Sequence, residues 1–158
     1  MENRPTTVEQ SGVRGFFRIH ITEGGRLVGD SGWQENAITN DGFNQYLVKA
    51  LGALSGSKQI SYAALGTGTA PGAAAVTLDG EVEARQTVAA ATAAGSKTLA
   101  MLATFGSALS FVSIVRTLRN IGLFNSSSGG TLFAGNTYAS SVCATNQQVE
   151  VSYNVVFF

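Results

Sequence analysis

Residues 147–158 read Gln-Gln-Val-Glu-Val-Ser-Tyr-Asn-Val-Val-Phe-Phe, so Val149, Val151, Tyr153, Val155 and Phe157 alternate with Glu150, Ser152 and Asn154. A repeat of two sets apolar groups on one face of an extended strand, whereas a helix would scatter them around its axis. The same repeat stands near the other end of the chain. There Val13, Gly15, Phe17, Ile19 and Ile21 alternate with Arg14, Phe16, Arg18, His20 and Thr22, and Phe16 is the apolar exception on the polar face. Val156 and Phe158 break the alternation of the last strand, so its end is expected to be covered on both faces.

Between these two strands the chain runs in short apolar, β-branched stretches punctuated by Gly and Ser. They fall at residues 60–65, 85–93, 97–105, 119–124 and 131–139. Residues 109–118 fit neither period and lean toward strand by their β-branched content. Turn chemistry at Glu23-Gly24-Gly25-Arg26 and at Asn125-Ser-Ser-Ser-Gly-Gly130 predicts two hairpins. One helix is expected, over residues 40–54. Thr39, Asn40 and Asp41 offer capping groups, and Phe43, Tyr46, Leu47, Ala50, Leu51 and Leu54 recur at spacings of three and four with Leu47 in mid-stripe, before Gly56 closes it.

Strands with no helices alternating between them define a mainly β fold, an antiparallel β-sandwich or jelly roll with a single α-helix against one side or end. The length of 158 residues suits one core. Residues 1–12 are polar and aperiodic, so they read as an extended arm, and residues 13–158 as a single domain.

Chemistry is sparse. Ten Lys and Arg balance ten Asp and Glu at only 13% charged residues, which provides no field to draw in nucleic acid or an anionic membrane. No apolar run reaches membrane-spanning length, and the first residues lack the apolar core of a signal peptide. Cys143 is the single cysteine, so an intrachain disulfide and a cysteine zinc cluster are excluded. The loop Ala64-Leu-Gly-Thr-Gly-Thr-Ala-Pro-Gly72 looks at first like a phosphate cradle. Pro71 stands where the third glycine of a dinucleotide fingerprint belongs, and no Gly-Lys-Ser/Thr follows. His20 sits on the polar face of a strand, and no Gly-x-Ser-x-Gly elbow exists to present a nucleophile. Asp79, Glu81 and Glu83 lack the spacing of a calcium loop, and Arg85 lies beside them to neutralise a charge. No enzyme, metal or cofactor is expected, and the neutral, small-residue composition favours contact with other chains.

The order of motifs carries a resemblance. Glu35-Asn-Ala-Ile-Thr-Asn-Asp-Gly42 leads into the helix, residues 60–68 end in Leu-Gly-Thr-Gly, and Leu78 to Arg85 carries Glu and Arg. Ile121-Gly-Leu-Phe-Asn125 and the closing strand complete the set. From Gly32 onward this resembles a family of tailed-bacteriophage virion proteins that includes head decoration (cement) proteins and tail-fibre or tail-tip proteins. Arg119-Asn120 departs from it where related chains often place an acidic residue. The resemblance implies a structural protein of the virion, made in the host cytoplasm and carried on the outer capsid surface. Its implied partners are the major capsid protein and further copies of itself, a trimer before a dimer. Arg4, Pro5 and Val8 in the arm, with Arg14, Phe16 and Trp33, are the candidate interface residues. Two alternatives stand beside decoration: a tail-fibre or tail-tip module, and a carbohydrate-binding jelly roll using Phe16, Trp33 and Tyr138.

Overall fold

The computed structural model describes residues 12–106 and 114–158. The expected arm, apart from Gly12, and residues 109–113 of the ambiguous stretch lie outside the described residues. Among the described residues ten strands form one antiparallel sheet: β1 (Val13–Glu23), β2 (Arg26–Asp30), β3 (Gln34–Ile38), β4 (Tyr62–Gly66), β5 (Glu81–Thr87), β6 (Ala89–Ala91), β7 (Thr98–Phe105), β8 (Arg116–Phe124), β9 (Leu132–Cys143) and β10 (Gln147–Phe157). Their order is β5-β4-β8-β9-β3-β1-β10-β7-β6, with β2 on the flank of β1.

The two alternating segments read from the sequence pair with each other along their whole length, from Val13 opposite Phe157 to Glu23 opposite Gln147. Phe17, Ile19, Ile21, Val149, Val151, Tyr153 and Val155 thereby point to one side and are buried. β7 extends that face with Met101, Ala103 and Phe105. The sheet curls so that Ala63, Leu65, Leu118, Ile121, Leu123 and Phe133 of β4, β8 and β9 close on the same core, as in a β-sandwich. Two bent segments carry the sheet from one half to the other. β3 pairs with β1 through Gln34–Asn36 and with β9 through Ala37 and Ile38. On the far side β5 pairs with β4 and, one residue later, β6 pairs with β7. Asn36 secures the β3 corner by donating from Nδ2 to the Tyr153 hydroxyl at 2.8 Å, and Gly15 leaves room for that hydroxyl.

The halves differ in how they meet water. In β4, β8 and β9 consecutive residues are buried, Ala63–Gly66, Asn120–Phe124 and Thr131–Gly135 among them, because residues 67–80 fold back over the outer face. Ala64, Leu78, Phe124 and Leu132 form a second apolar cluster there. The covering expected at the end of β10 is corrected accordingly: Phe157 is 45% and Phe158 49% exposed, and the strands buried on both faces are β4, β8 and β9. Their short unbroken runs Ala-Ala-Leu-Gly, Ile-Gly-Leu-Phe and Leu-Phe-Ala-Gly carry the mark of burial on both sides.

The helix occupies residues 40–51. Its start is as read: the Thr39 hydroxyl accepts from the Gly42 N–H at 2.9 Å and donates to the Leu132 carbonyl at 2.7 Å. Its winding is not, because Gly42–Val48 is a π-helix, with only Lys49–Leu51 continuing as α. An i→i+5 bond widens the turn, so residues three and four apart drift off a common face. Gly42 and Tyr46 are buried, Leu47 is half-buried, and Leu51, placed in the apolar stripe by a 3.6-residue repeat, is 90% exposed. The expectation that Leu47 and Leu51 share one core-facing stripe running to Leu54 is corrected on that ground. Among the described residues no helix is long and apolar enough to cross a membrane.

Candidate interaction surface

The glycine loop is closed upon itself. The Asp79 carboxylate accepts from the Thr69 amide at 2.9 Å and from its hydroxyl at 3.0 Å, and these bonds lower the carboxyl below its usual range. Asn120, fully buried, donates from Nδ2 to the carbonyls of Thr69 and Asp79, each at 2.9 Å. A Cβ on Gly66 would lie 2.9 Å from the Asp79 carbonyl, so the glycine is there for close approach. The Thr69 amide that a phosphate-binding loop would offer outward is thus turned onto the protein's own aspartate.

Arg85, read from the sequence as a neutralising charge, does more. Its guanidinium grips Glu81 in a fork at 2.7 and 2.9 Å, stacks 3.4 Å from the Phe124 ring centroid, and donates to the carbonyls of Ser126 and Gly129 at 2.9 and 2.7 Å. It fastens the Asn125–Gly130 turn onto the sealed half. Asp79 and Glu81 are therefore engaged separately, and the side chain of Glu83 lies outside the described set. Among the described residues no three His, Cys, Asp or Glu side chains gather to hold a metal ion. His20 lies half-buried with Nε2 3.5 Å from Asp30 Oδ1, and the same carboxylate takes the Arg18 fork, whose hydrogen bonds hold Asp30 well below the usual carboxylate range.

The other half of the sheet leaves its outer face open, and strand register arranges that face in rows. Phe16, Asn154, Ala100 and Ala91 stand side by side across β1, β10, β7 and β6, and Arg18, Ser152, Leu102 and Ala89 make the next row. Of the candidate interface residues, Arg14, Phe16 and Trp33 come together here, while Arg4, Pro5 and Val8 lie outside the described residues. Trp33, 48% exposed, lies over the face and walls a groove of about 420 Å³ with Ala89, Ala91, Ala100, Leu102 and Ser152. Arg14 reaches 3.7 Å from Glu35 and places its guanidinium 5.3 Å from the Phe158 ring. Phe16, Val156 and Phe158 complete a second cleft beside it.

Sequence reasoning missed the Ala and Leu wall of this face. The signal was the segment Thr-Leu-Ala-Met-Leu-Ala-Thr-Phe at 98–105, whose outward positions Ala100 and Leu102 lack the polar groups a solvated strand face carries. The aromatic trio of the carbohydrate reading is not assembled. Tyr138 is buried, edge-on to Phe17 at 6.1 Å between centroids, away from Phe16 and Trp33 on the outer face. Comparison with protein-family models, curated proteins and solved structures finds no match for this chain.

Proposed function

We propose that the chain is a structural protein of a bacteriophage virion, a decoration protein that binds the outside of the head and ties major capsid subunits together, itself as an oligomer. The observation that carries this reading is the contrast between the two outer faces. One is sealed by the chain's own loop and turn. The other stays open, with Ala89, Ala91, Ala100, Leu102, Ser152 and Asn154 forming an uncharged floor, Trp33 walling it, Phe16 beside it and Arg14, Arg18 and Glu150 along its border. An apolar centre with a polar rim is the anatomy of a protein–protein interface, and an exposed Trp is the residue type that most often anchors one. Gly12 is bonded to Phe158 through both backbone groups, at 2.8 and 3.0 Å, at the margin of this face.

Trp33→Ala and Leu102→Glu each leave the melting temperature near that of the parent, because surface changes of this kind shift stability by about 0.5 kcal/mol or less. Binding to undecorated heads, measured by co-sedimentation, falls at least about tenfold for each, the loss of roughly 1.4 kcal/mol or more typical of an anchor residue. Unchanged occupancy of heads by both variants overturns the reading, and co-sedimentation of the parent protein with tails in place of heads turns it to the tail module.

A further inference from the structure

A cavity of about 300 Å³ opens between the sheet halves beneath the helix and shares only Ala90 and Met101 with the groove on the outer face. Its depth is walled by the buried side chains Tyr46, Met101, Phe133 and Val155, and its outer part by Ile60 and Leu99. The space is a half-open cleft whose floor reaches the buried layer, so apolar side chains of the core face a ligand-sized opening there. The π-helical turn contributes to it, since Tyr46 and Leu47 are lining residues that the widened winding delivers, and such turns gather at functional sites.

The polar part of the wall is Lys58 with Gln59. Lys58 lines the cavity with its ammonium donating to the Thr131 hydroxyl, and among the described residues no carboxylate forms an ion pair with it. The residues lining the cavity include no Asp or Glu. An apolar slot with one convergent charged group is the usual form of a small-molecule site.

We infer that this cavity binds a single-chain amphiphile with an anionic head, a medium-chain fatty carboxylate, with its chain between Met101, Phe133 and Val155 and its carboxylate on Lys58. A cavity of about 150 Å³ holds a benzene of six carbons, so twice that volume matches about twelve heavy atoms, the ten carbons and two oxygens of decanoate.

The test uses decanoate, with decanol as its uncharged counterpart, titrated into the full chain by calorimetry and followed by amide chemical shifts. Decanoate binds saturably at one equivalent per chain and about tenfold more tightly than decanol. Lys58→Met abolishes that preference while both still bind. Ala90 and Ala91 are neighbours on one strand; Ala90 lines the cavity and also the edge of the outer groove, whereas Ala91 lines the outer face and not the cavity. Ala90→Phe therefore removes binding of both probes, and Ala91→Phe retains it. No saturable decanoate binding, equal affinity for the two probes in the parent chain, or binding that survives Ala90→Phe overturns the inference. Should Ala90→Phe fail to fold, shifts confined to Tyr46, Phe133 and Val155 on titration support the site, and shifts confined to the outer face refute it.

Discussion

Replacing Gly42 by alanine destabilises the protein by about 3 kcal/mol, at the upper end for overpacking, and lowers its melting temperature by roughly 6 to 12 °C. A Cβ at this position would fall well inside van der Waals contact of the Phe133 carbonyl oxygen and 2.9 Å from Ile38 Cγ2. The first neighbour is backbone in a strand buried on both faces, so it has nowhere to retreat. The helix must lift from β9, which pulls Tyr46 off Phe133, now 5.2 Å away edge-on, and breaks the Thr39 bonds to Leu132 and Gly42. Gly72→Ala is the internal control, since nothing lies within 4 Å of a Cβ there and the change leaves the melting temperature within a degree or two. Equal melting temperatures for the two variants would show that the helix can be displaced without loss.

Asn120→Ala has the second largest effect, about 2 to 3 kcal/mol by thermal or denaturant unfolding. The side chain is fully buried, and its amide is the donor that joins the carbonyl of Thr69 to that of Asp79. Without it the two ends of the glycine loop lose their common anchor, a cavity opens beneath Gly66, and the cover over Leu78, Phe124 and Leu132 loosens. Amide exchange at Thr67 and Thr69 quickens before the rest of the sheet responds. Acid reaches the same loop by another route. The Asp79 carboxyl is lowered in the folded state, chiefly by the Thr69 amide, so its stabilisation is complete above the ordinary carboxylate pKa of about 3.9 and is lost only as pH falls through the lower folded value. Loop exchange rates in the parent protein stay flat from neutral pH to about 4 once intrinsic exchange is removed, then rise. A rise beginning at pH 6 would show that Asp79 does not hold the loop.

Much of the architecture was legible because period-two alternation reports directly on burial. β1 and β10 were readable for that reason, and so were the turns at Gly24-Gly25 and Gly129-Gly130, where positive φ angles require what glycine permits. β3 was not legible. Gln-Glu-Asn-Ala-Ile is short and polar, and it is a strand because β1 and β9 each supply half of its partners, a fact of tertiary pairing that no local pattern records. The helix start was legible in Thr39, but the π winding was not, since a tight backbone contact at Gly42 and the seat of Tyr46 are properties of the surroundings. The candidate surface was half legible. Phe16 stood out as an apolar residue on a polar face, whereas the fitness of Ala89, Ala91 and Ala100 for contact rests on register across four strands. Arg85 and Asn120 were readable as polar residues and no more, because their partners lie 41 or more residues away for Arg85 to the turn and 41 and 51 away for Asn120.

The two bent corners also decide how the protein behaves in a crowd of its own copies. A sheet of this size laid flat would present long unpaired rims on which other chains could add strands and grow into fibrils. Here the rims are cut short. β6 is three residues long and β2 five, β2 carries Arg26 and Asp30, and β5 carries Glu81 and Arg85 beside an irregular register with β4. Short, charged and kinked borders resist strand addition, so the neutral face can be adhesive while the borders are not. Crowding alone therefore does not knit copies of this chain together through their rims.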